Sequence, residues 1–137
     1  MKQLIIILCA LCLTACMSRL SSPEISGHII NEQGEPLAHV QVGDSLTDEQ
    51  GYFNLPEQRY YAFFLTDLLA MEAPAVYVQK SVSKAEFQTC VLTYDNPYGG
   101  GQRAGAQWLV GKIILQRAHI SDLQHQMSDC RLKNEEK

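Results

Sequence analysis

Alternation of apolar and polar residues along the middle of this chain predicts β-strands. Val40 and Val42 alternate with polar neighbours, and Phe53 and Leu55 repeat the pattern after a turn over residues 47–51. Because successive strand side chains point to opposite faces, these four residues are predicted to face a core. Runs rich in β-branched and aromatic residues predict further strands over 25–30, 60–65, 76–78, 87–94 and 107–116. The chain is therefore predicted to be mainly β.

The predicted strand over residues 107–116 is apolar on both faces. Simple alternation gives one face Trp108, Val110 and Ile114, and the other face Leu109, Ile113 and Leu115. Such a strand is typical of a central position in a sheet, or of a sheet that is covered on both sides.

The tail has a different period and is predicted to be helical. Ser121 and Gln124 have the spacing of a capping box. The apolar residues of the tail recur at intervals of three or four and share one helical stripe: Ile120, Leu123, Met127 and Cys130. Residues 119–137 are therefore predicted to form a short C-terminal helix followed by a frayed end.

The first fifteen residues have the sequence pattern of a leader. Lys2 precedes an uncharged stretch over residues 4–15, which is shorter than the roughly 20 apolar residues of a membrane-spanning helix. The stretch ends in Leu13-Thr14-Ala15-Cys16, which closely resembles the lipobox of bacterial lipoproteins. Residues 1–15 are therefore predicted to be a lipoprotein signal peptide. The alternative is a buried N-terminal element of a cytosolic protein.

The lipobox resemblance implies that Cys16 becomes the first residue of the mature protein, with diacylglycerol on its sulfur and an acyl chain on its amino group. Three chains would make anchoring permanent, because a single myristoyl chain already gives marginal binding. Met17 stands where an Asp usually marks inner-membrane retention, so the resemblance implies the outer membrane, facing the periplasm. Residues 16–23 are predicted to be a lipidated tether, and residues 24–118 the folded domain.

Removal of 15 residues from 137 leaves a mature chain of 122, which fits one domain. Its 10 basic and 15 acidic residues give a net charge of −5. That balance, with no cluster of Lys or Arg, argues against a nucleic-acid partner.

Cleavage and acylation would leave two free thiols, Cys90 and Cys130, in an oxidising compartment. A disulfide between them is the natural interpretation. Closing a loop of about 40 residues stabilises a fold by about 4 kcal/mol in the chain-entropy model. A buried free pair and a metal site are the alternatives, although no CxxC or Cys/His spacing supports a metal.

A second resemblance covers residues 25–56. It is carried by Gly27, Gly34, Pro36, Leu37, Val40, Val42, Thr47, Asp48, Gly51, Phe53, Leu55 and Pro56. This pattern resembles the opening of a carboxypeptidase regulatory-like domain, which is transthyretin-like (prealbumin-like). The resemblance implies an Ig-like antiparallel β-sandwich that serves as an accessory module and has no catalytic residues of its own. The glycines would provide turns with positive φ, and Thr47 and Asp48 would hydrogen-bond turn amides.

No catalytic or metal constellation is apparent in the sequence. Asp44, Asp48 and Glu49 lack the spacing of a calcium loop, and no GxSxG or other nucleophile motif occurs. We therefore expect no enzymatic activity, no cofactor and no metal.

The best candidate for a functional surface is the loop over residues 94–108, called here the candidate loop. It contains Tyr94, Tyr98, Arg103 and Trp108, the residue types favoured at binding hot spots. The alternative is a long hairpin loop whose tyrosines pack on the sandwich edge.

The sequence thus predicts a lipid-anchored module that binds or assembles another envelope component, a protein or a glycan. Two alternatives stay open. One is an inhibitor or immunity lipoprotein that blocks a periplasmic hydrolase, and the other is a hydrolase whose site is assembled only in the fold.

Overall fold

The computed structural model describes residues 16–63, 74–99, 104–118 and 128–133. Strands account for most of these residues, and none of the described ranges contains a helix that is long and apolar enough to cross a membrane. In chain order the strands are β1 (Cys16–Ser22), β2 (Glu24–Asn31), β3 (Gln41–Val42), β4 (Ser45–Leu46), β5 (Tyr52–Leu55), β6 (Gln58–Phe63), β7 (Val76–Ser83), β8 (Cys90–Asn96), β9 (Gln107–Leu115), β10 (Ser128–Asp129) and β11 (Arg131–Lys133).

Two sheets share one hydrophobic core, which confirms that the protein is mainly β and fits a β-sandwich. The larger sheet has the order β10-β8-β7-β3-β4, and the smaller one has the order β11-β9-β2-β5. Both sheets contribute buried apolar residues to the core: Ile25, Ile29, Phe53, Leu55, Val110, Ile113 and Leu115 from the smaller, and Val42, Val76, Val78, Val82, Cys90 and Leu92 from the larger.

The sheets are not purely antiparallel, which differs from the expected antiparallel sandwich. Strand β2 runs parallel to β9, and β10 runs parallel to β8, while the remaining pairs are antiparallel. A parallel pair requires a long crossover between its strands. The chain supplies such a crossover for β2 and β9, because strands β3 to β8 lie between them in the sequence.

The period-two prediction holds where it concerns the core. Val40 and Val42 are fully buried, and Phe53 and Leu55 are also buried. His39, which precedes Val40, lies in a turn with φ of 56°, so β3 begins only at Gln41, and the buried Val40 lies just before it. Strands β2 and β3 also lie in opposite sheets, because the turn between them carries the chain across the core.

A β-bulge in β9 explains why its sequence is apolar on both predicted faces. Ser26 pairs with Leu109 and Gly27 with Gly111, so Val110 is the extra residue. Gly111 has φ of 78°, a backbone conformation that favours glycine. The bulge shifts the inward set from even to odd positions: Trp108 and Val110 before it, Ile113 and Leu115 after it. The predicted grouping of Ile114 with Trp108 is therefore wrong, although β9 is central in its sheet as predicted.

The turn before β5 has the hydrogen bonds that its sequence predicts. The buried Thr47 hydroxyl accepts a hydrogen bond from the Val40 N–H at 2.9 Å and donates one to the Leu37 carbonyl at 2.7 Å. One Asp48 carboxylate oxygen accepts from two backbone N–H groups at 2.9 and 2.8 Å. Gly51 has φ of 73°, and a Cβ there would collide with the Ile29 carbonyl oxygen.

Strands β1 and β6 form a two-stranded antiparallel sheet, called here the ribbon. The predicted tether over residues 16–23 is therefore a hydrogen-bonded strand that also lies against β7. Arg59 fixes it, because its Nε donates to the Ser18 hydroxyl at 2.6 Å and a second guanidinium nitrogen donates to the Ser18 carbonyl at 3.2 Å.

The end of the described chain is strand, which corrects the helix predicted over residues 119–137 in that part. Residues 119–127 lie outside the described ranges, while 128–133 form β10 and β11, one paired with each sheet. Between them, Cys130 bonds to Cys90, with Cα atoms 5.0 Å apart, as the sequence predicted. Its N–H donates to the Val91 carbonyl at 3.0 Å. Pairing to existing strand edges thus replaces the helical stripe at this point.

Candidate functional site

Two aromatic residues of the candidate loop connect the two sheets. Tyr94 extends from β8 in the larger sheet and Trp108 from β9 in the smaller one. Their ring centroids are 5.1 Å apart with planes tilted by 49°, a favourable geometry for an aromatic pair. Both side chains are half-buried and pack against the core. Their placement supports a structural role, and it shows that the loop joins two sheets and is not a hairpin.

Tyr98 has a different environment from that pair. Its side chain is 91% exposed. Asn96 fixes the turn beneath it, because its side-chain oxygen accepts from the Tyr98 N–H at 3.2 Å and its side-chain nitrogen donates to the Gly99 carbonyl at 3.2 Å. The turn therefore presents a large aromatic group to solvent on an ordered backbone. Arg103, the fourth predicted residue, lies outside the described residues.

A carboxylate that the sequence did not single out joins the loop to the ribbon. One oxygen of Glu57 accepts from the Gly105 N–H at 2.9 Å, and the other accepts from the Arg59 guanidinium at 2.6 Å. The hydrogen bond from Gly105 and the one from Arg59 lower the pKa of Glu57 below its usual 4.5. No local motif could predict this contact, because Glu57 and Gly105 are 48 residues apart.

The outer part of the ribbon exposes aromatic side chains that the sequence predicted only as strand residues. Tyr60, Tyr61 and Phe63 all belong to β6 and are all exposed. Phe63 pairs in register with Cys16, the residue that the lipobox resemblance marks for acylation. The ribbon therefore combines the predicted anchor position with exposed aromatic surface.

A small open cleft lies beside the disulfide. Its volume is about 210 Å³, below the 300–1,000 Å³ that is usual for sites of small organic ligands. Its lining comes from β8, β9, residues that flank these two strands, and the stretch 128–131: Gln88, Cys90, Ile114, Leu115, Gln116, Ser128, Asp129 and Arg131. This lining contains no arrangement of a nucleophile with a base, so we assign it no chemistry.

The acidic residues considered for calcium do not converge. Asp48 hydrogen-bonds the turn before β5, as described above. Across the described part of the chain, no group of three or more His, Cys, Asp or Glu side chains is placed to hold a metal ion.

No protein-family model matches this chain, and a comparison with curated proteins also found no match.

Proposed function

We propose that this chain is a lipoprotein of the bacterial outer membrane, anchored through Cys16 and facing the periplasm, whose sandwich is a non-catalytic binding or assembly module. Its partner would be another component of the envelope, a protein or a glycan. The observation that carries the proposal is a lipobox-like sequence at residues 13–16 followed directly by β-strand structure from Cys16. Acyl chains on Cys16 would hold this domain at the membrane surface while it folds in water.

We also propose that the sandwich is of the carboxypeptidase regulatory-like, transthyretin-like type. The support is that the hydrogen bonds, backbone angles and burial of residues 25–56 agree with those that the resemblance implies. Thr47 and Asp48 hydrogen-bond turn amides, Gly51 has positive φ, and Phe53 and Leu55 lie in the core. An accessory module of this kind provides a rigid frame for surface residues, which agrees with a binding function.

Tyr98 is the residue of the candidate loop that we propose to contact the partner. It combines a nearly fully exposed ring with a turn that Asn96 fixes, so little conformational entropy is lost on binding. Tyr94 and Trp108 would support this surface from beneath by holding the two ends of the loop together.

A crosslinking capture from intact membranes tests this proposal. The native protein is compared with a Cys16→Ser variant, and mass spectrometry identifies both the crosslinked partners and the acyl groups on Cys16. We expect acylated Cys16 and one specific envelope partner that the Cys16→Ser variant loses. An unmodified Cys16 would overturn the lipoprotein proposal, and capture that does not depend on anchoring would overturn the tethered module.

A substitution within the candidate loop then tests whether Tyr98 contacts the partner. Tyr98→Ala should reduce crosslinking to the same partner while leaving acylation intact, and unchanged capture would contradict the role of Tyr98. If the captured partner is a periplasmic hydrolase that loses activity on binding, the inhibitor alternative replaces the assembly module.

A further inference from the structure

Three aromatic side chains are exposed on one short strand at the outer end of the ribbon. Tyr60, Tyr61 and Phe63 expose 41%, 80% and 39% of their surface. All three lie within the last four residues of β6. Tyr60 alternates to the other face of the strand, so Tyr61 and Phe63 form the cluster, and neighbouring exposed rings of this kind indicate an interaction surface.

The register of the ribbon places this cluster beside the predicted anchor. Cys16 is the pairing partner of Phe63, and Ser18 is the pairing partner of Tyr61. Neighbouring strands are about 4.8 Å apart, so the backbone of Phe63 lies about that far from the backbone of Cys16. Tyr61 and Phe63 are two residues apart and therefore project from the same face of the strand.

We propose that this end of the ribbon docks on the surface of the lipid bilayer, with Phe63 and Tyr61 in the headgroup layer. The proposal rests on acylation of Cys16. Acyl chains that enter the hydrocarbon core of the bilayer would hold Cys16 at the boundary between that core and the headgroup layer. Two residues of strand span about 7 Å, and the headgroup layer is about 5–7 Å deep on each side of a bilayer. Both aromatic residues then lie at the depth where amphipathic rings are enriched.

A lipid surface fits this end of the ribbon better than a protein partner. The anchor would hold Cys16 at the bilayer at all times. Phe63, which pairs with Cys16, would therefore lie next to lipid whether or not a protein partner is bound. Exposed aromatic side chains add apolar contact to the anchoring by the acyl chains. Tyrosine suits this position because its ring enters the interface while its hydroxyl stays hydrated.

Docking would also set the distance of the candidate loop from the membrane. Ser22, at the other end of β1, is six residues from Cys16, which corresponds to about 20 Å of extended strand. There Glu57 accepts the hydrogen bond from Gly105 at the end of the candidate loop. The ribbon would therefore act as an ordered spacer within the stretch that the sequence predicts as a lipidated tether.

Fluorescence quenching by lipid measures this docking directly. The acylated mature protein is reconstituted in vesicles of phosphatidylethanolamine and phosphatidylglycerol with brominated acyl chains. One variant carries Trp108→Phe with Phe63→Trp, so that its single tryptophan reports on the ribbon. The matched control carries Trp108→Phe with Leu109→Trp, because Leu109 is 77% exposed and pairs with Ser26, beyond the other end of the ribbon.

We expect brominated lipid to quench the fluorescence of the Phe63→Trp variant about twofold or more and to leave that of the Leu109→Trp variant nearly unchanged, because only position 63 would lie at the interface. Circular dichroism checks folding, and Tyr61→Trp at a more exposed position serves as a second reporter if Phe63→Trp does not fold.

Equal quenching of both positions, or quenching of neither, on acylated protein would overturn docking and leave the lipoprotein proposal standing. A crosslink from position 63 to a protein in intact membranes, together with no quenching in the vesicles, would likewise overturn it in favour of a protein partner. An unacylated Cys16, detected by mass, would overturn both proposals.

Discussion

Gly27 and Gly111 meet where β2 and β9 pair, and a Cβ on Gly27 would lie only 2.9 Å from the Gly111 carbonyl oxygen. The same Cβ would lie 3.1 Å from the Phe53 ring. Neither neighbour has room to move, because one is strand backbone at the bulge and the other is fully packed in the core. The glycine at position 27 is therefore required by close approach and not by a positive φ.

Substitution of Gly27 by alanine tests this close approach. Gly27→Ala should lower the free energy of unfolding by about 1–3 kcal/mol, the usual cost of overpacking a core. Urea denaturation followed by circular dichroism provides the measurement. Ser26→Ala, one residue away and only half-buried, is the matched control and should change stability by less than about 0.5 kcal/mol. Equal effects of the two substitutions would contradict the packing argument.

The Thr47 hydroxyl provides a second test, because its side chain is 2% exposed and bonds two backbone groups. Thr47→Val keeps the shape but leaves the Val40 N–H and the Leu37 carbonyl without this partner. We expect a loss of about 2–3 kcal/mol in unfolding free energy, since unsatisfied buried polar groups are costly. Thr47→Ser keeps the hydroxyl and should lose clearly less. The reverse order would mean that the methyl group, and not the hydroxyl, stabilises this turn.

Features that depend on neighbouring residues could be predicted from the sequence. Inward-facing Val40, Val42, Phe53 and Leu55 follow from period two alone. Asp48 follows from turn chemistry, because its partners are two and four residues away. The cysteine pair follows from counting thiols.

Features that depend on residues far apart in the chain could not be predicted in this way. The bulge at Val110 lies in the pairing of β9 with β2, and it changes the inward-facing residues of β9 from even to odd positions. The ribbon includes a contact between Arg59 and Ser18, which are 41 residues apart, so the pairing of residues 16–22 as a strand does not show in their local composition. Residues 128–133 pair with β8 and β9, which lie far away in the chain, at positions where the local sequence predicted a helix or a frayed end.

The disulfide should contribute a large part of the stability. Cys90 and Cys130 close a loop with a sequence separation of 40, which corresponds to about 4 kcal/mol in the chain-entropy model. Unfolding in urea with and without a reductant measures the difference, and Cys90→Ala with Cys130→Ala repeats it without a redox reagent. Hydrogen exchange should show loss of protection first at the Cys130 amide, which bonds the Val91 carbonyl. Equal stability of the oxidised and reduced proteins would contradict this expectation.

Substitutions of Tyr98 and Trp108, both in the candidate loop, should have different effects on the free energy of unfolding. Tyr98→Ala should change the free energy of unfolding by less than about 0.5 kcal/mol, because its ring is almost fully exposed. Trp108→Ala should lower it by about 2–3 kcal/mol, since the half-buried indole packs on Tyr94 and on the core. Urea denaturation measures both effects. A strong loss of stability in Tyr98→Ala would show that this ring packs on the protein in solution.

The link from Glu57 to Gly105 and Arg59 should make stability depend on pH in the acid range. Because these contacts lower the pKa of Glu57 in the fold, ionised Glu57 stabilises the protein above its usual value of 4.5. That contribution is lost as pH falls through the lowered pKa. Wild type should therefore be more stable than Glu57→Gln at neutral pH, and the two should converge in acid, where protonated Glu57 resembles the amide. Urea midpoints at a series of pH values measure this, with Glu32→Gln as a control for the change in net charge. A difference between wild type and Glu57→Gln that stays constant down to strong acid would contradict the role assigned to this carboxylate.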